Sequence, residues 1–214
     1  MKVAVFDFDG TIIKEQSHQL YLDRILLSQG PFMAVLFKIY YKFFFPILNK
    51  HSTSKKSKEL LLRHLKGKSV DYLEDFSFRF FEEEISPLIL PKIENEIARL
   101  KKQGYYLVLV SGGFEIYLKY LRGHLGFDEI LGTKLTFSKG RFIGRIDGEE
   151  CLGTEKVVRF NQVLEKLGEL NEHSCFFSDH KSDLPMFNLF ANKYVVFHGQ
   201  DVSWKHDEME LIHV

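Results

Sequence analysis

The sequence has no surplus of charge of either sign. Its 29 basic and 29 acidic residues balance over 214 positions. A nucleic-acid binder ordinarily carries a basic excess, so the balance argues against that partner. Cysteine is nearly missing. Cys151 and Cys175 are too few for a disulfide scaffold, and neither sits at a metal-ligand spacing. They are expected to be reduced thiols of a cytosolic protein, with Cys175 in the core of the run Cys175-Phe176-Phe177. Long apolar runs are also absent. No stretch reaches the roughly 18 uncharged apolar residues of a spanning helix. The nearest candidate, 30–49, is broken by Lys38, Lys42 and Pro46. The opening Met1–Phe6 meets Asp7 too soon for a secretory leader. No internal repeat and no low-complexity linker is visible. What is present is apolar material, 45% of residues with 21 phenylalanines, enough for one core with an inserted cap.

Residues 2–7 form an apolar run that ends in Asp-Phe-Asp-Gly-Thr, the pattern of a buried parallel strand with its loop at the carboxyl end. Residues 15–85 carry apolar residues at helical spacing almost throughout. Residues 92–103 read as an amphipathic helix stopped by Gly104. Tyr105 to Val110 is a second strand, leading into Ser111-Gly112-Gly113, and 114–122 look helical. Alternation around Ser138-Lys139-Gly140 predicts a β-hairpin over 134–146. A helix is expected over 154–167, a third strand over 174–177, a short helix over 183–190 and a last strand over 194–197. The tail from Asp201 to Val214 reads as polar, with Trp204 its one large anchor. Strands alternate with helices after an early helical interruption. This predicts an α/β protein: a Rossmann-like, doubly wound parallel-sheet core with an inserted helical cap and a small β-hairpin. The expected division is core at 1–14 and 88–214, and cap at 15–87.

Three apolar runs end in polar residues: Asp7 and Asp9, Ser111 and Gly112, Asp179 and Asp183. Open parallel sheets bind ligands at the carboxyl ends of their strands, so the three clusters are expected to share one cleft. Asp7 and Asp9 sit two apart, just past a strand. Close carboxylates repel and want a cation or a proton. With Asp179 they offer hard oxygen ligands suited to Mg²⁺. An isolated Asp-x-Asp-Gly is equally compatible with a solvated turn.

The downstream clusters extend the pattern. Asp7-x-Asp9-x-Thr11, Ser111 in Val110-Ser111-Gly112-Gly113-Phe114, Lys156 in Cys151-Leu152-Gly153-Thr154-Glu155-Lys156, and Asp179 with Asp183 stand in order. Together they resemble the four motifs of haloacid-dehalogenase-superfamily phosphatases, in the branch that includes phosphoserine phosphatases. The resemblance spans nearly the whole chain outside the cap. It implies that Asp7 attacks phosphorus and becomes an aspartyl phosphate. Asp9 would protonate the leaving oxygen and then activate water. Asp7, the Asp9 carbonyl and Asp179 would hold Mg²⁺, with Asp183 ligating through water or orienting Lys156. Thr11, Ser111, Gly112 and Lys156 would serve the phosphoryl group. His180 and Lys181 are given no role.

The cap is expected to set the substrate. Phosphoserine phosphatases of this branch place a Glu early in the cap. The aligned position lies near Gln16, an amide that would bind an ammonium poorly. Arg63 reads as a surface arginine. The segment 31–48 offers Phe32, Leu36, Ile39, Tyr40, Phe43, Phe44 and Phe45, with Lys38 and Lys42 on one helical face. It is either an interfacial helix with snorkelling lysines or one packed in the cap or against a second subunit. A similar apolar stretch occurs in bacterial phosphatidylglycerophosphatase C of the same branch. The hairpin Gly-Arg…Gly-Arg and Cys-Leu-Gly-Thr-Glu-Lys also resemble that subgroup. The expectation is a cytoplasmic phosphatase of small or lipid phosphomonoesters with peripheral membrane contact through 31–48. A phosphoserine-type metabolite phosphatase is the alternative. A receiver-type aspartate switch is the alternative of another class, and Asp9 and the helical insertion argue against it.

Overall fold

The computed structural model describes residues 1–30, Phe32, Val35, Ile39 and 54–214. Its centre is a strand of four buried residues, β1 (Val3–Phe6). Such a strand has no polar face, and its alternation feeds two cores. Val3 and Val5 pack on one side of the sheet, Ala4 and Phe6 on the other. Beside it lie β2 (Tyr106–Phe114) and β5 (Cys175–Ser178), both parallel to it. The sheet continues outward through β3 (Glu129–Ser138) and β4 (Arg141–Asp147) on one flank. On the other stand β6 (Asn192–Phe197) and β7 (Met209–His213). Its order is β4-β3-β2-β1-β5-β6-β7, parallel except for β4. The chain leaves β1 to build one flank and returns through β5 to build the other. The crevice at such a reversal is where doubly wound sheets bind ligands.

Helices follow where the apolar spacing predicts them. α1 spans Ser17–Ser28, α2 Ser54–Leu62 and α3 Val70–Phe80. The Ser69 side chain caps α3 by accepting the Tyr72 N–H at 3.2 Å. α4 (Pro91–Lys102) starts on proline, whose missing N–H costs nothing there. Two short helices, α5 (Glu115–Leu118) and α6 (Leu121–Leu125), follow β2. α7 spans Thr154–Leu167, and α8 (Leu184–Phe187) follows β5.

α1, α2 and α3 lie on the core side fed by Ala4 and Phe6. Tyr21, Phe76, Phe80, Phe114 and Tyr117 form one buried aromatic group there, with Tyr21 and Phe80 centroids 5.0 Å apart. The helical insertion and the sheet therefore share a core. The β3–β4 hairpin reaches the same helices: the Gly67 N–H donates to the Phe142 carbonyl at 2.8 Å. Its turn is Lys139-Gly140, both at positive φ (48° and 71°), as a tight two-residue hairpin requires.

Two expectations need correcting. β2 does not stop before Ser-Gly-Gly but runs through it to Phe114, with a shift of register against β3 that absorbs the irregularity. The last strand is not 194–197. The polar tail turns back and ends in β7, which pairs with β6 because Met209 enters the core while its neighbours face solvent. Trp204 lies 6.0 Å from Phe187. Most of 31–48 lies outside the described residues. Phe32, Val35 and Ile39 are helical and exposed, at 73%, 57% and 46%. No helix among the described residues is long and apolar enough to cross a membrane.

Candidate active site

β1 leads directly into Asp7, whose N–H donates to the Phe177 carbonyl of β5 at 2.9 Å. Only 6% of Asp7 is exposed, and its Oδ1 lies 2.8 Å from Lys156 Nζ. Lys156 is buried in the first turn of α7 and reaches Asp183 Oδ2 as well, at 2.7 Å. Ser178 Oγ donates to that same oxygen at 2.7 Å. The three clusters that were far apart in sequence thus meet. Asp7, Asp9, Gly112, Lys156 and Asp179 line one cavity of about 420 Å³, within the usual range of small-molecule sites.

Asp9 is held from the insertion. Its Oδ1 accepts the N–H of Ser17, the first residue of α1, at 2.7 Å. Gln16 precedes that helix without capping it, so the Asp9 side chain takes the capping place. His18 Nδ1 stands 3.9 Å from the other Asp9 oxygen. Gly10 permits the turn between the strand and this arrangement. Its φ is +77°, and a Cβ there would lie 2.2 Å from Asp179 Oδ2. No other residue fits so close to that carboxylate.

Three expected site residues stand behind the cavity instead of lining it. Thr11 is fully buried and its hydroxyl is directed at Asp179 Oδ1, 3.4 Å away. Ser111 is also fully buried, and its Oγ accepts the Gly113 N–H at 3.0 Å. Asp183 braces Lys156. Gly112 does face the cavity, against Leu152, whose Cδ2 would be 2.4 Å from a Cβ at that position. Its carbonyl accepts the Thr133 hydroxyl at 2.9 Å.

Sequence reasoning missed several lining residues: His18, Gln19, Lys58 and Leu152, with Ser182. Gln16 lines the cavity, and so does His180. Arg63 is exposed and lies outside it. Only Lys58 left a sequence signal, a lysine one position ahead of Glu59 at the start of an apolar helical row, and that pattern is common on solvated helices. His198 was also missed. It stands 3.9 Å from Asp179 Oδ2 with its Nε2 buried and unbonded.

Electrostatically the floor holds excess negative charge. Burial holds the Asp7 carboxyl well above the ordinary carboxylate value, against the pull of Lys156. Burial likewise raises Asp179. Burial alone would lower the Lys156 ammonium, but Asp7 and Asp183 outweigh it and hold the cation charged. One ammonium thus serves a group of buried carboxylates, and Asp183 Oδ1 is left without a hydrogen bond. A divalent cation held by hard oxygens relieves this imbalance, so the donor set fits Mg²⁺. Among the described residues no three His, Cys, Asp or Glu side chains make a ready cage. A site built on two carboxylates and one backbone carbonyl needs none.

The sequence matches the haloacid dehalogenase-like hydrolase family over residues 4–188, and the chain belongs to that family. Within it the chain falls among the phosphatases, and family members generally use Mg²⁺. It is 26% identical to a phosphoserine phosphatase of Methanocaldococcus jannaschii, over 87% of this chain and 81% of that one. It is 28% identical to a histidinol-phosphatase of Neisseria meningitidis, over 91% and 89%. Among solved structures, a Bordetella pertussis protein of unknown function superposes with a TM-score of 0.78 at 22% identity, covering 91% of this chain and 89% of that one.

Proposed function

We propose that the chain is a Mg²⁺-dependent phosphomonoester hydrolase working through an aspartyl phosphate on Asp7. The observation that carries this is the pairing of a buried Asp7 with Lys156 at 2.8 Å, two residues from an Asp9 held by a helix N-terminus. Lys156 pulls Asp7 toward its anionic form, against the burial that raises it, and its ammonium stands beside the position of the phosphoryl oxygens. Asp7 Oδ attacks phosphorus, the bond to the ester oxygen breaks, and Asp9 gives that oxygen its proton. Water then attacks the aspartyl phosphate, Asp9 takes the water's proton, and phosphate leaves. Bound Mg²⁺, held by Asp7, the Asp9 carbonyl and Asp179, would neutralise charge on the transferring group. Asp183 acts through Lys156. The Gly112 backbone offers close approach to the phosphoryl group, and Thr11 and Ser111 fix the loops that present it.

Residues 15–87 are read as a cap over a core of 1–14 and 88–214. The substrate we favour is an apolar or lipid phosphomonoester met at a membrane surface by a cytoplasmic protein. Phe32, Val35 and Ile39 are helical, exposed and spaced along one face. No acidic residue occurs between Asp23 and Glu59, while Arg24, Lys38, Lys42, Lys50, Lys55, Lys56 and Lys58 do. A cationic, apolar stretch of this kind suits an anionic bilayer. The relatives' names supply the second reading, a phosphatase of amino-alcohol or amino-acid phosphates.

The test is phosphate release with Mg²⁺ present or chelated, from phosphoserine, histidinol phosphate, 4-nitrophenyl phosphate and phosphatidate in vesicles. Mg²⁺-dependent release is expected throughout the productive set, with the vesicle substrate favoured. Release confined to soluble esters, with no binding to anionic vesicles, would remove the lipid reading. No release from any of them would remove the hydrolase reading.

A further inference from the structure

Among the described residues, two buried side-chain polar atoms are left without a hydrogen bond: Asp183 Oδ1 and His198 Nε2. Buried polar groups are nearly always paired, so each exception asks for a reason. Asp183 braces Lys156. His198 has no part in the mechanism above. It follows directly on β6, which runs parallel to β5, so both strands present their carboxyl ends to the same side of the sheet. That brings its imidazole beside Asp179, the first residue after β5. Nε2 lies 3.9 Å from Asp179 Oδ2, and the two side chains are 22% and 12% exposed. The gap is too long for a hydrogen bond and too short to seat a water between the two atoms.

The turn that carries His198 is fastened to the same loop. The His198 N–H donates to Gln200 Oε1 at 2.8 Å. The Gln200 amide donates in turn to the Val196 carbonyl at 2.6 Å and to the Asp179 carbonyl at 3.4 Å. On the far side of the carboxylate, the Thr11 hydroxyl stands 3.4 Å from Asp179 Oδ1. We propose that His198 is a positioning residue for the metal site. Its Nε2–H is the donor that Asp179 Oδ2 accepts when the carboxylate takes Mg²⁺. A ligating carboxylate meets an ion in one orientation only if its other oxygen is held, and outer partners of this kind govern affinity. Nε2 carries a proton in one neutral tautomer and in the cation, so the hold does not depend on the charge of the ring. His198 touches neither ion nor substrate and acts through Asp179. The inference rests on the reading of Asp179 as a Mg²⁺ ligand.

The test is calorimetric titration of the protein with Mg²⁺, without substrate. His198→Ala and His198→Leu both remove the donor, and Leu keeps the bulk. Each is expected to weaken Mg²⁺ binding by about 10- to 100-fold. His198→Gln, whose amide N–H can take the place of Nε2–H, is expected to recover most of that loss. Phosphate release from 4-nitrophenyl phosphate should follow the binding: reduced in His198→Ala and His198→Leu at limiting Mg²⁺, and restored when Mg²⁺ is raised to saturation. Wild-type affinity in either variant overturns the inference, and whichever of the two folds decides. A loss in His198→Gln as large as in His198→Ala also overturns it, since the ring would then matter for packing alone. Asp179→Asn is run beside them. Wild-type Mg²⁺ affinity in that variant would overturn the reading of Asp179 as a ligand, and this inference with it.

Discussion

The floor and the roof of the cavity are built on opposite plans. On the floor, β1, β2 and β5 end side by side, and their charged residues are bonded to one another: Asp7 to Lys156, Lys156 to Asp183, Asp183 to Ser178. The roof is made of side chains on α1 and α2 and at the entry to α1, and it is mostly uncharged: Gln16, Gln19 and His18, with Lys58 paired to Glu150. A reacting phosphoryl group is always the same object, so its partners can be locked in advance. A leaving group varies, and the surface that meets it has to be free to vary too. On the function proposed above, the difference teaches that turnover would be governed from below and selection from above.

The comparison breaks most sharply at the nucleophile. Asp7→Asn is expected to lower phosphate release by about 10,000-fold or more, with folding retained by circular dichroism. Substantial turnover in that variant would place the nucleophile elsewhere. Asp9→Asn should slow both formation and hydrolysis of the phosphoenzyme, by roughly 100- to 10,000-fold, in rapid-quench measurements. A rate near wild type would mean that another group moves the proton. Gly10→Ala forces a methyl group toward Asp179. Calorimetry should show Mg²⁺ affinity reduced by about 10- to 100-fold. Unchanged affinity would show that Asp179 does not hold the ion.

A smaller effect concerns pH. Burial raises the carboxyls of Asp7 and Asp179, so the folded metal-free chain binds protons that the unfolded chain releases. Between the ordinary carboxylate value and the raised ones, the stability of the metal-free protein falls as pH rises. The Mg²⁺ proposed above would bind the deprotonated form. The rise in Tm on adding Mg²⁺ should therefore be larger at mildly alkaline than at mildly acid pH, and an equal rise would contradict it. The smallest change belongs to the roof. Gln16→Ala and Gln19→Ala should alter KM by severalfold, about the weight of one neutral hydrogen bond, with kcat nearly unchanged. A large loss of kcat in either would erase the distinction between the two surfaces.

The same division decides what could be read from the sequence. Floor residues announce themselves because each must follow a strand, and a short apolar run ending in Asp or Ser-Gly is visible by eye. Asp7, Asp9, Gly112 and Asp179 converge as that pattern implies, and Lys156, in the first turn of α7, joins them where only the family resemblance pointed. Their finer places were not legible. Ser111 and Thr11 turn away from the cavity because their hydroxyls are used by Gly113 and Asp179, which depends on loop geometry. Lys58 and Glu150 lie far apart in the chain and meet only because α2 packs on β4. The strand β7 hid in a charged tail because only Met209 is fully buried in it, with Ile212 packed partway against the core.

The bond between Asp9 and the first N–H of α1 has a consequence for timing. The acid and the leading helix of the insertion are tied together, so a displacement of that helix withdraws the acid's anchor at the same moment. In the mechanism proposed above, proton delivery would then depend on α1 being seated, and an ester that kept the helix from seating would meet the nucleophile without a positioned proton donor.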